Sequence, residues 1–93
     1  MGQYSIIIEE IAAADFSVHK KSGQKSVKKR IERIIEELST TPYVGIGNPH
    51  PLKYELSGKW ARDIDKKNRL IYFVDEETKS VFILSALGHY EDK

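Results

Sequence analysis

The residues of this chain that could do chemistry gather in one stretch. Between Pro49 and Tyr72 stand His50, Lys53, Lys59, Arg62, Asp63, Lys66, Lys67 and Arg69, and the far end answers with Gly88, His89 and Tyr90. That stretch holds six of the fifteen basic residues. Histidines titrate near neutrality and can give or take a proton, an arginine can neutralise charge developing on a phosphorane, and a phenol can stack or donate. Together they form a set able to run phosphoryl chemistry on RNA without a metal. Singly, each is ordinary: a surface histidine, a solvated strand arginine, a rim aromatic. No phosphate-binding glycine loop, His-Glu-x-x-His helix, Gly-x-Ser-x-Gly elbow or calcium loop accompanies them. The chain has no cysteine, so neither a disulfide nor a thiolate metal site is available.

Elements must place these residues. Residues 3–8, with Tyr4, Ile6 and Ile8 alternating, read as a strand. Residues 9–20 begin with acids and end on a His-Lys-Lys cluster, as the helix dipole favours, and Ser22-Gly23 closes this first helix. His19 in its last turn reads as solvated rather than as a ligand. Val27, Ile31, Ile34, Ile35 and Leu38 recur on one stripe and define a second helix. Its outer face carries Lys25, Lys28, Lys29, Arg30 and Arg33, interrupted by Glu32, Glu36 and Glu37. Such a face could touch an anionic backbone, but any amphipathic helix shows one. Residues 39–42 stop the helix, and 43–51 form a loop whose two glycines and two prolines fix its path and present His50.

Strands are then expected over 52–56, 59–65, 69–74 and 81–87, with turns at Ser57-Gly58, Lys66-Lys67 and 75–78. Strand 69–74 is apolar on both faces, so it is central: Leu70, Tyr72 and Val74 take one side, and Ile71 and Phe73 share the other with Arg69. Alternation places Trp60, Arg62 and Ile64 together and Asp63 on the opposite face, with Arg69. The order β-α-α-β-β-β-β implies an α+β fold, two N-terminal helices packed on a mainly antiparallel sheet, in a single domain over 1–93.

Net charge is only +1, which argues against a strongly electropositive nucleic-acid binder, but the sum hides its distribution. Residues 41–70 carry +3 and residues 71–93 carry −3, so an anionic partner would be met by the middle. No apolar run approaches the length of a spanning helix, and the start has no basic n-region of a signal peptide, so a cytoplasmic protein is expected.

The loop Thr41-Pro42-x-x-Gly45-x-Gly47-x-Pro49, the triplet Pro51-Leu52-Lys53, the run Leu56-Ser57-Gly58-x-Trp60, Arg69-Leu70-x-Tyr72 and the closing His89-Tyr90 together resemble the YoeB/Txe toxins of the RelE/ParE superfamily. These are small bacterial proteins that cleave messenger RNA and are neutralised by an antitoxin of the YefM/Phd type. The resemblance covers residues 24–90; the first helix matches only in position. It implies a RelE-like microbial RNase fold and a ribosome-associated endoribonuclease in which the 2′-hydroxyl attacks the neighbouring phosphate without metal or cofactor. Implied partners are the antitoxin, messenger RNA, the ribosome and, since relatives often dimerise, a second copy, with no membrane.

Carried over by position, Lys53 matches the family's lysine, Arg69 the arginine that stabilises phosphate charge, His89 an acid or phosphate ligand, and Tyr90 a residue that orients substrate. Arg62 matches the first arginine of the family's W-S-R-R-I and, with Lys53 and Lys59, is expected to bind RNA. Two positions depart. The family's glutamate base is replaced by His50, and its second arginine by Asp63. Either His50 is a base oriented by Asp63, the two charges having been exchanged, or Asp63 pairs with Arg69 or Lys53 and quenches the site. The alternative to an enzyme is therefore a catalytically weakened toxin fold that binds antitoxin or forms a co-repressor. A gyrase-directed relative of the ParE branch is disfavoured by the Pro-Leu-Lys and His-Tyr motifs.

Overall fold

The computed structural model describes residues 3–88. Strand β1 (Ser5–Ile8) leads into helices α1 (Glu10–Ser22) and α2 (Lys25–Leu38). A loop follows, then β2 (His50–Pro51), a 3-10 turn at Tyr54–Leu56, β3 (Trp60–Asp63), β4 (Arg69–Asp75) and β5 (Ser80–Ser85). The five strands make one sheet in the order β1-β5-β4-β3-β2, with the helices against it. The fold is α+β, and among the described residues no helix is long and apolar enough to cross a membrane.

Both helices follow their sequence patterns. Gly23 adopts φ 75°, and its N–H bonds the Lys20 carbonyl, ending α1 where a left-handed residue is needed. In α2, Val27, Ile31, Ile34 and Leu38 are buried as one stripe against Leu70, Tyr72, Val81 and Ile83 of the sheet. The other face of the sheet carries a smaller apolar cluster of Leu52, Ala61 and Ile71, with Leu56 and Leu84 packed on it. Strand β4 feeds both clusters, which is why it reads as apolar on both faces.

The sheet is mainly antiparallel, as expected, with one parallel edge: β1 runs parallel to β5, Ser5 opposite Ser80 through Ile8 opposite Ile83. A parallel neighbour needs a long crossover, and the helical hairpin with the strands after it supplies one. Two expectations are corrected. The 52–56 strand does not form. Leu52 and Leu56 both turn into the smaller cluster, which strand geometry would allow only with Tyr54 beside them; instead Tyr54 takes φ 58° and faces water. Pairing with β3 occurs one step earlier, His50 opposite Ala61 and Pro51 opposite Trp60. Finally, His19 is buried, 7% exposed, and not solvated.

Candidate active site

Asp63 and Arg69 face each other across β3 and β4, and Arg69 Nε lies 3.2 Å from Asp63 Oδ1. Both side chains are partly open to water on the sheet face away from the helices. The turn before Arg69 is fixed by Asp65, whose Oδ1 accepts the N–H groups of Lys67 (2.8 Å) and Asn68 (2.7 Å). Burial pushes the Asp65 carboxyl up, but these bonds and the Asn68 side chain outweigh it and hold it below its ordinary value. The Asn68 carbonyl accepts from Ile64 N at 2.9 Å, so the hairpin closes with Arg69 at the start of its strand.

The end of β5 is led to the same place. Ala86 donates its N–H to Asp15 Oδ2 (2.9 Å), and its carbonyl lies 2.6 Å from His19 Nε2, which must therefore carry the proton. Asp15 and His19 are four apart on α1, hence one above the other on one face. Gly88 then donates to Asn68 Oδ1 (2.8 Å), and its carbonyl accepts from Arg69 N (3.0 Å). The last described residue is thus bonded to Arg69. The expected site residues His89 and Tyr90 lie outside the described residues.

His50 sits on β2 opposite Ala61, and directly opposed residues share a sheet face, so it shares the face of Asp63 and Arg69. Two strands across and two residues along puts its Cα about 12 Å from that of Arg69. Its Nδ1 lies 2.7 Å from the Asn48 carbonyl, an acceptor only, so in the neutral ring Nδ1 bears the hydrogen and Nε2 keeps its lone pair. The tautomer is therefore set by Asn48 O. Of the two arrangements the sequence leaves open for Asp63, the pairing with Arg69 is the one formed, and not an Asp63–His50 pair.

Arg62 is not on this surface. It is completely buried on the helix side, its Nη1 2.7 Å from Glu37 Oε1 and its Nη2 2.7 Å from the Thr41 carbonyl and 2.9 Å from that of Val44. The expected RNA contact by Arg62 is thereby corrected: one guanidinium ties α2 to the loop that carries His50. Burial pushes the Glu37 carboxyl up, but the Ile46 N–H and Arg62 together bring it below its ordinary value. The loop glycines serve this packing. A side chain at Gly45 would collide with Glu37 Oε1, and one at Gly47 would meet the Asp63 carbonyl, whose own N–H bonds Gly47 O at 2.6 Å.

Of the lysines, Lys53 is exposed at the foot of the 3-10 turn, whereas Lys59 lines a shallow hollow with Glu9, Phe73, Asp75, Phe82 and Leu84 at the opposite end of β3 from Asp63. The loop is held at its start as well. Glu76 Oε2 accepts from Tyr43 at 2.6 Å, and Glu76 Oε1 from Tyr4 (3.0 Å) and Lys79 (2.9 Å). Those bonds, Tyr43's first, bring the Glu76 carboxyl down to about 2. Sequence reasoning missed Asp15, Glu37, Asn48 and Asn68; only the i, i+4 spacing of Asp15 and His19 carried a signal.

Comparison places this geometry among known proteins. Residues 8–90 match the profile of the YoeB-like toxins of bacterial type II toxin-antitoxin systems. The chain is similar to a "Toxin YoeB" of Streptomyces coelicolor, 40% identical over 73 residues, covering 78% of this chain and 84% of the relative. It is similar in structure to the YoeB dimer of Staphylococcus aureus, with a TM-score of 0.79 and 28% identity, covering 95% of this chain and 99% of the other. The YoeB-YefM complex from the same organism superposes with a TM-score of 0.77, at the same identity and coverage.

Proposed function

The chain belongs to the YoeB-like toxins of bacterial type II toxin-antitoxin systems, and on that premise we propose that it is a metal-independent endoribonuclease that cleaves messenger RNA on the ribosome. The observation that carries this reading is the bond from Arg69 N to the Gly88 carbonyl. It brings Gly88, the residue that precedes His89-Tyr90 in the sequence, beside the one arginine of β3 and β4 on the open face.

In the proposed step, His50 Nε2 takes the proton of a ribose 2′-hydroxyl and the 2′-oxygen attacks the adjacent phosphorus. The bond to the 5′-oxygen breaks, and His89 donates a proton to that leaving oxygen. Arg69 neutralises the phosphorane, Tyr90 orients the nucleotide, and Lys53 and Lys59 draw the backbone. The products are a 2′,3′-cyclic phosphate and a free 5′-hydroxyl. Neutralisation is proposed to come from a YefM/Phd-type antitoxin, as in the Staphylococcus aureus complex, and self-association to follow the dimer of that relative. The site of action is the cytoplasm.

A second reading, an antitoxin-binding module of weakened catalysis, is favoured by one observation, the pairing of Asp63 with Arg69. Inducing the chain without an antitoxin and mapping the ends of ribosome-bound message separates the two. Expected are growth arrest and cyclic-phosphate ends, with His50→Ala slower by about 10²–10⁴. Absence of cleavage together with retained antitoxin binding selects the module.

A further inference from the structure

Tyr54 is the most exposed aromatic side chain of the described residues with a bulky apolar ring, at 68%, and it stands at φ 58°. A bulky residue in that region is an outlier, since its Cβ crowds the following carbonyl. Asparagine adopts it more easily, as Asn48 does in this chain at φ 53°. Tyrosine at position 54 thus strains the turn and contributes nothing to either apolar cluster.

Its setting is rigid. Leu52 and Leu56 are seated on Ala61 and Ile71, and the backbone between is tied by Leu52 N to Lys59 O (2.9 Å), Leu56 N to Lys53 O (3.1 Å) and Ser57 N to Tyr54 O (3.0 Å). With two leucines turned inward, the ring between them is turned out to solvent. Ile71, beneath this turn, is two residues from Arg69 on one strand face, about 7 Å. Lys53 and Glu55, its neighbours in the chain, carry opposite charges, so the ring between them offers a neutral π surface.

We propose that Tyr54 is a stacking platform for an unpaired nucleobase next to the scissile phosphate, a binding residue that deepens, and rests on, the endoribonuclease reading. Aromatic rings held rigidly beside a cationic groove bind single-stranded RNA in this way whatever the base.

The test uses ribosomes programmed with a synthetic message, natural or with an abasic nucleotide at each position near the cut. Tyr54→Asn should melt no lower than the parent, keep kcat, and raise KM about tenfold, within the 5- to 150-fold that loss of one stacked base carries. Tyr54→Phe should cleave as the parent does. One abasic position should cost the parent what Tyr54→Asn loses, and cost that variant nothing more. A Tyr54→Asn variant that melts lower, or keeps the parent's KM and abasic profile, overturns the proposal. A parent that cuts no programmed message removes the endoribonuclease reading, and this one with it, whereas equal cleavage by parent and Tyr54→Asn removes only this one.

Discussion

Arg62 and Arg69 stand on neighbouring strands one register step apart, Arg62 opposite Leu70 and Arg69 opposite Asp63, and the two faces of the sheet give them different work. Arg62 points to the helices, is fully buried, and spends its Nη groups on a carboxylate and loop carbonyls. Arg69 points away, remains partly open, and has a carboxylate partner that water also reaches. A cation in the interior must be paired and so becomes structure, while one at the surface keeps charge that a ligand can use.

The strongest way to break that comparison is Arg62→Ala. It leaves Glu37 with its charge part-buried and takes the guanidinium donors from the loop carbonyls, and removing one partner of a buried pair costs about 3–5 kcal/mol. The unfolding midpoint in urea should fall accordingly; a loss under about 1 kcal/mol would mean the loop is held by its glycines and Tyr43 alone. Arg69→Ala should do the opposite: stability within about 1 kcal/mol of the parent, as for other exposed pairs, and cleavage slower by about 10²–10³. Cleavage at the parent's rate would make Arg69 structural too.

Much of this contrast was legible. Alternation put Arg62 with Trp60 and Ile64 and so on the core side, and the same count put Asp63 and Arg69 on the other. The expectation that Arg62 meets RNA counted it with the neighbouring lysines and Arg69 as one cationic stretch and matched it to a motif, and neither carries information about sides. Its partner, Glu37, was illegible for a physical reason: it lies on the charged face of α2, twenty-five residues away, and nothing local marks it from Glu32 or Glu36. The parallel β1 was hidden likewise, its partner strand being at the other end of the chain. The turn at Tyr54–Leu56 was misread because Leu-x-x-x-Leu suits a strand face and a helical turn equally, and only packing on Ala61 and Ile71 decides.

Asp63→Asn sharpens the comparison from the other side. If the carboxylate merely competes with substrate for Arg69, neutralising it should speed cleavage, by no more than about fivefold given the worth of a part-exposed pair. Slower cleavage by Asp63→Asn would mean that Asp63 aims Arg69 at the phosphate, and the ion pair would then be part of the site rather than a brake on it.

The smallest effect concerns the two anchors of the loop that carries His50, one buried at Arg62 and one in water at Glu76. Glu76 grips Tyr43, which in turn packs on Trp60 with ring centroids 4.9 Å apart. Hydrogen bonds from Tyr43, Lys79 and Tyr4 lower the Glu76 carboxyl to about 2 in the folded chain. A depressed carboxylate adds stability that is complete above its unfolded value near 4.5 and is lost as pH falls through the folded one. The parent's melting temperature should therefore drop toward that of Glu76→Gln between about pH 4.5 and 2, and the gap between them should also narrow in high salt, which screens exposed charge. The Arg62 anchor, shielded from solvent, should show no comparable salt dependence. A gap between parent and Glu76→Gln that stays constant from pH 6 to pH 2 would mean that the Tyr43 hydroxyl, and not the charge on Glu76, holds the start of the loop.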